Sequence, residues 1–185
     1  MRKMEDRIEL SDGTVTLRRY REKDAEPVYR AVRESIREIS PWMPWCHEGY
    51  SFDDSKTWSA SRDDAWAKGE EYSFIISNDD GHLLGVCGLN RFDNENRFAN
   101  VGYWVRTGKT MQGVATSSTL LLARFGFDEL KLNRIEIVVA AENKPSQKVA
   151  EKAGATQEGI LRKRLVVRDR VYDAVMYSLV PEDIG

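Results

Sequence analysis

Cysteine and histidine are scarce: the 185 residues hold two of each. Cys46 and Cys87 form no CxxC pair, which argues against a disulfide framework and a structural zinc site and suits a reducing cytoplasm. His47 and His82 have no partner at ligand spacing, so no metal is expected. Long apolar runs are missing too. The stretch 135–141, interrupted by Glu136, falls far short of the roughly 18 residues of a membrane span, so no membrane association is expected. The start, MRKMEDRIELSDG, has basic residues with no apolar stretch behind them, unlike a secretory or transit leader.

Positive charge is not in excess: 28 Lys and Arg stand against 30 Asp and Glu, a formal net charge of -2. A broad nucleic-acid-binding surface is therefore not expected. Neither GxxxxGK[ST] nor GxGxxG occurs, which leaves a P-loop or a dinucleotide fold unsupported. Without GxSxG, and with Cys87 on a predicted strand lacking a His–acid pair, a covalent acyl-enzyme is disfavoured. No repeat or Pro/Gly/Ser-rich linker divides the chain, and 41% hydrophobic with 31% charged residues describes one globular domain over residues 1–185.

What is present has a definite order. Residues 14–20 (TVTLRRY) alternate as a strand. A helix follows from Asp24, with Val28, Val32, Ile36 and Ile39 on one face, until Pro41. Residues 41–51 (PWMPWCHEGYS) read as an aromatic loop, and 53–68 as a weaker helix closed by Gly69. Three strands come next, at 72–77, 83–89 and 98–105, the first two joined by an Asn78-Asp79-Asp80-Gly81 turn. From Gly113 a helix apolar on two sides should be buried. A strand at 134–140, a helix at 145–152 stopped by Gly154, and two strands within 159–180 around Arg168-Asp169-Arg170 complete the order βααβββαβαββ. This predicts an α/β or α+β fold with a mixed, largely antiparallel sheet flanked by helices.

Between the third of the central strands and the buried helix lies Gly108-Lys109-Thr110-Met111-Gln112-Gly113-Val114-Ala115-Thr116. Small residues leave backbone N–H groups open there, and the first helical turn adds unpaired donors and the positive end of its dipole, which suits a pyrophosphate. The alternative is an ordinary strand-to-helix turn in which Gly113 allows close packing.

This segment resembles the acyl-CoA loop of the GNAT superfamily of N-acetyltransferases, Gln/Arg-x-x-Gly-x-Gly/Ala. Gly113 and Ala115 match it, and Thr110 stands at its first position. The chain is most similar to the RimJ/RimL-type branch, which acetylates ribosomal-protein N-termini. The matching stretches are Val101-Gly102-Tyr103-Trp104-Val105, Gln112 to Thr116, Leu132-Asn133-Arg134-Ile135-Glu136, Asn143-Lys144-Pro145-Ser146, Ala153-Gly154-Ala155 and Glu158-Gly159-Ile160-Leu161-Arg162. The resemblance implies acetyl-CoA as cosubstrate. Backbone groups of Trp104 and Val105 would meet the pantetheine arm. Gln112, Gly113, Val114, Ala115 and Thr116 would wrap the pyrophosphate, Asn143 would hold the far side of the arm, and Ser146 would protonate the leaving thiolate. Asn143 also reads as a helix cap, and both roles can coexist. Trp42, Trp45 and Tyr50 would shape the acceptor groove, with packing as the alternative. A homodimer is implied by resemblance alone.

An α-amino group, with a pKa of about 7.7 to 8.0, is partly neutral near pH 7 to 8, whereas a lysine at about 10.4 demands a stronger base. A protein N-terminus is therefore the first acceptor. A small-molecule amine, or a non-catalytic acyl-CoA-binding module, is the alternative. Candidate bases are Glu95 and Asp93, in a polar segment that also reads as a plain hairpin loop. Charge divides along the chain: residues 51–100 hold 5 basic and 10 acidic residues, and residues 101–180 hold 13 and 8. Arg106, Lys109, Lys144 and Lys148 lie near enough to the loop to face CoA phosphates, and the acidic part could favour a cationic acceptor.

Overall fold

A computed structural model describes residues 8–184, so the first seven residues of the start read above lie outside it. Its strands are β1 (Glu9–Ser11), β2 (Thr16–Arg19), β3 (Tyr72–Ser77), β4 (Leu83–Asp93), β5 (Phe98–Val105), β6 (Arg134–Ala140), β7 (Thr156–Val167) and β8 (Arg170–Leu179). They form one sheet in the order β1-β2-β3-β4-β5-β6-β8-β7. Every pairing is antiparallel except β5 with β6. The helices are α1 (Ala25–Glu34), α2 (Ile36–Ile39), α3 (Phe52–Ala60), α4 (Arg62–Lys68), α5 (Val114–Asp128) and α6 (Lys144–Lys152).

Strand alternation sends side chains to two cores. Phe74 and Ile76 of β3, Leu89 of β4 and Val101 of β5 pack against Leu121, Leu122 and Phe125 of α5. On the opposite face, Ile75, Val86 and Trp104 meet Val28, Ala31 and Val32 of α1. The buried face of α5, which carries Ser118 and Thr119 beside its apolar residues, is thus sunk against the sheet. Gly126 sits where a Cβ would come within 2.9 Å of the Ile135 side chain, so helix and β6 approach closely.

Three details depart from the sequence expectation. The short edge strand β1 was not foreseen. The first expected helix breaks at Ser35, which is fully buried and whose Oγ accepts the Thr107 N–H at 2.9 Å, a partner supplied by a distant segment. The second breaks at Ser61, and Gly69 closes α4 at φ 69°, as expected. The turn between β3 and β4 is tied by Asn78 Oδ1 accepting the His82 N–H at 2.8 Å, with Gly81 at φ 78°. Arg168 and Asp169 turn β7 into β8 with φ 47° and 62°.

At the base of β6, Arg134 grips the Glu158 carboxylate of β7 with two donors, one at 2.6 Å, and Ser178 Oγ donates to it at 2.7 Å. The guanidinium foremost, then the hydroxyl, holds that carboxyl down at about 2, against an ordinary 4.5. Both side chains are partly exposed, so the pair contributes under about 1 kcal/mol. A carboxyl depressed in the folded state stabilises only while ionised. Glu158→Gln should therefore lower the melting temperature slightly at pH 7, and thermal melts of the two proteins should converge as the pH falls from 4.5 toward 2.

Candidate active site

The single parallel junction sets the site. β5 and β6 pair only at Phe98–Arg134, Ala99–Ile135 and Asn100–Glu136. Beyond these, among the described residues, no ladder joins 101–105 to 137–140, and the sheet opens as a wedge. The other edge of β5 is fully used: Trp104 pairs with Val86, and the next N–H in phase, that of Arg106, reaches the Leu84 carbonyl at 2.8 Å. Backbone direction alternates along a strand, so Tyr103 and Val105 turn their N–H and C=O groups to the open edge while Trp104 spends its own on β4. This corrects the expectation for Trp104. Its place in the ladder leaves the main-chain groups of Val105 and Tyr103, and not its own, on the open edge, and makes Trp104 a buried indole on the α1 face.

The loop at the end of β5 runs through a turn at Thr107–Lys109 into α5. Met111 at φ 59° and Gly113 at φ 82° both take left-handed backbone, and Gly113 occupies the N-cap of α5. The first intrahelical bond is Ser117 N–H to the Gly113 carbonyl, at 2.9 Å. The N–H groups of Val114, Ala115 and Thr116 precede it, so the donors a pyrophosphate needs lie together at the positive end of a 15-residue helix. Gln112 is exposed with Nε2 donating to the Gly108 carbonyl at 3.2 Å, which braces the loop. Arg106 is paired with Glu34 of α1 through Nε at 2.7 Å and so faces away from a phosphate role. Lys148 is exposed on α6.

Across the wedge, Asn143 caps α6, its Oδ1 accepting the Ser146 N–H at 3.2 Å. Ser146 Oγ lies 2.7 Å from the Tyr103 hydroxyl, a bridge from α6 to β5. Burial, opposed by this hydrogen bond, pushes the Tyr103 phenol up to about 12, so it stays neutral at physiological pH.

On the α1–α3 side a cavity of about 710 Å³ reaches β5 at Gly102 and Tyr103. Trp45, Tyr50, Trp58 and Trp104 form its aromatic walls, and Asp54, Glu71 and Asn90 its polar positions. The Trp45 ring lies 5.7 Å from that of Tyr50 and 6.3 Å from that of Trp104. Glu71 is engaged by Arg62 at 2.7 Å and by the Ser73 hydroxyl at 2.9 Å. The aromatic loop is held from both sides, Arg33 donating to the Glu48 carbonyl and Arg168 to the Cys46 carbonyl.

The structure therefore sets Val105 on the open edge of β5, the 112–116 loop at its end and Asn143 and Ser146 on α6, while Trp45 and Tyr50 line the cavity that meets β5 at Gly102 and Tyr103. Trp42 does not join them; its ring packs 6.2 Å from Tyr172 in a separate cluster with Val167. Nor does Glu95. β4 extends to Asp93, beyond the expected end at Leu89, which carries the turn outward. Glu95 is exposed there, and Phe98 alone is already about 17 Å of strand from Tyr103. Asp93 serves the turn, accepting from Asn96 N–H at 2.8 Å and Nδ2 at 3.0 Å. Sequence reading missed Tyr103, Glu71 and Arg168. Tyr103 lay within a quoted stretch, but only strand phase assigns it to the wedge. No signal marked the other two. Among the described residues no three His, Cys, Asp or Glu side chains are grouped to hold a metal ion, and no helix is long and apolar enough to cross a membrane.

Comparison with known proteins bears on the fold and the family. YdaF of Bacillus subtilis, assigned by name to the ribosomal N-acetyltransferases, is 30% identical over 174 residues, covering 91% of this chain and 92% of YdaF. The ribosomal-protein-serine acetyltransferase of Escherichia coli is 23% identical over 177 residues, covering 96% and 98%. The structure of RimJ from Mycobacterium smegmatis, solved in complex with CoA-disulfide, superposes with a TM-score of 0.84 at 26% identity, covering 96% of this chain and 88% of that one. Residues 14–156 match the acetyltransferase (GNAT) domain model, and the chain belongs to that family of N-acetyltransferases.

Proposed function

We propose that this acetyltransferase moves the acetyl group of acetyl-CoA onto the N-terminal α-amine of a protein, in a single domain working in the cytoplasm. The observation that carries the reading is the wedge. Its open β5 edge has anion-binding N–H groups at one end and an aromatic cavity on the facing side, so two substrates can meet without sharing a route. Tyr103 and Val105 would offer main-chain groups to the pantetheine arm, and the 112–116 loop would hold the pyrophosphate. Asn143 would flank the arm, with Lys148 outside. Trp45 and Tyr50 would line the acceptor path.

In this reading a main-chain N–H of β5 polarises the thioester carbonyl while the neutral amine attacks it. The C–N bond forms and the C–S bond breaks. Sulfur leaves with the electron pair, Ser146 donates toward it, and the surplus amine proton passes to water. A thiol pKa of about 8.5 makes sulfur a tolerable leaving group, and an α-amine at about 7.7 to 8.0 is partly neutral without a dedicated base. The names of YdaF and of the E. coli relative support a ribosomal-protein acceptor.

Incubation with acetyl-CoA and a mixture of N-terminal peptides, polyamines and aminoglycosides, followed by mass spectrometry, tests the acceptor. One acetyl group is expected on peptide α-amines. Labelling confined to a small amine would replace the protein acceptor with that class.

A further inference from the structure

We propose that Tyr103 is a positioning residue for the Ser146 hydroxyl, orienting its proton toward the sulfur of the cosubstrate. The inference rests on the acetyl-transfer reading above and adds a residue to it.

The geometry is specific. Tyr103 stands on the open edge of β5, borders the acceptor cavity, and sends its hydroxyl to within 2.7 Å of Ser146 Oγ on the other side of the wedge. A serine hydroxyl has one proton and two acceptor lone pairs. If Ser146 gave its proton to Tyr103, nothing would remain for sulfur. If the phenol donates instead, Ser146 Oγ is an acceptor on that side, and its own proton is free to point into the wedge. The phenol is the stronger acid of the two hydroxyls, and a donor chain O–H···O–H···S strengthens each link as negative charge grows at its end. Burial keeps the phenol protonated across the range in which an α-amine loses its charge, so the donor is not lost. The Asn143 cap fixes the other coordinate: it holds the Ser146 main chain at the first turn of α6, leaving side-chain rotation as the freedom that the phenol removes.

The titratable groups around the pair are Cys87, opposite Tyr103 on β4, then His47, Asp54 and Glu71 round the cavity, and Lys144 and Lys148 on α6. Cys87 is fully enclosed and burial drives its thiol upward, so it stays protonated. All of these groups remain in Tyr103→Phe, which removes a single oxygen and keeps the ring. A comparison of that variant with the wild type therefore isolates the phenol hydroxyl.

The test is CoA binding by calorimetry at pH 7 and pH 9, on the wild type and Tyr103→Phe, with desulfo-CoA as reference. A proton aimed at sulfur favours the thiolate, so wild-type affinity for CoA, relative to desulfo-CoA, should rise about three-fold as the pH passes the free thiol pKa of about 8.5. In Tyr103→Phe that rise should flatten, and kcat for peptide acetylation should fall about ten-fold with the acetyl-CoA KM within about two-fold. Ser146→Ala should flatten the rise equally, and adding Tyr103→Phe to it should change nothing more. The same pH dependence in Tyr103→Phe as in the wild type overturns the proposal, whatever happens to turnover. If the wild type binds neither CoA nor acetyl-CoA, the acetyl-transfer reading falls and the positioning role falls with it.

Discussion

Thr116→Glu should fold at least as well as the wild type and bind CoA about a hundred-fold more weakly, the Coulomb cost of one added charge at close range in a partly screened site. The two effects have opposite sign because they draw on one field. Thr116 is the third residue of α5, inside the turn whose N–H groups precede the first intrahelical bond. A carboxylate there sits against the positive end of the helix and should stabilise the fold by about 0.5 kcal/mol. It also occupies, with the same sign of charge, the place where a pyrophosphate would bind. Thermal melts without ligand together with CoA titration check both halves. Undiminished CoA affinity would remove this turn from the phosphate site.

Gly85→Ala should cost about 3 kcal/mol of stability, at the upper end of ordinary overpacking. Gly85 lies opposite Val105 in the β4–β5 ladder, and a Cβ at this position would stand 2.2 Å from the Trp104 carbonyl oxygen and 3.1 Å from the Val105 Cα. Those neighbours are backbone, so relief requires the strands to part. The strand that must yield is the one whose other edge opens the wedge, and CoA affinity should fall with stability. Gly108→Ala is the comparison: a Cβ there meets nothing within 4 Å, and stability should change little. Urea denaturation of both variants decides it, and equal midpoints for Gly85→Ala and the wild type would contradict the packing argument.

Much of this architecture is legible in local pattern. β3, β5 and β6 alternate or run apolar between turn residues, and α6 announces itself through Asn143, Pro145 and Gly154. What escapes the sequence is whatever depends on a distant partner. Ser35 interrupts a good helical periodicity because its hydroxyl serves Thr107, 72 positions away. Trp42 and Trp45 are three residues apart in one loop, yet one ring turns to Tyr172 and the other to Trp104. Loop composition cannot separate them. The parity of β5 is similar: residues 103 to 105 all look like strand, and only the register against β4 tells which main-chain groups remain free. Glu95 was attractive as a carboxylate near a central strand. The four extra residues of β4 are paired strand and turn, and their length could not be read from an Asn- and Asp-rich composition.

The narrow junction between β5 and β6 also bears on how the chain assembles. Strands β1 to β5 lie within residues 9–105 and β6 to β8 within residues 134–179, so each half-sheet is built by neighbours in the chain. Three residue pairs make the sheet contact between the halves, while α5, the segment linking them in the chain, packs across both. Pairing inside a half spans as much chain as the seam does, 61 positions for Thr16–Ser77 against 36 for Phe98–Arg134, so the seam stands out by how little of it is paired and not by its range. Since the proposed reaction site is that seam, a chain with only one half formed would have no partial activity to offer. Competence appears in one step, when the halves dock.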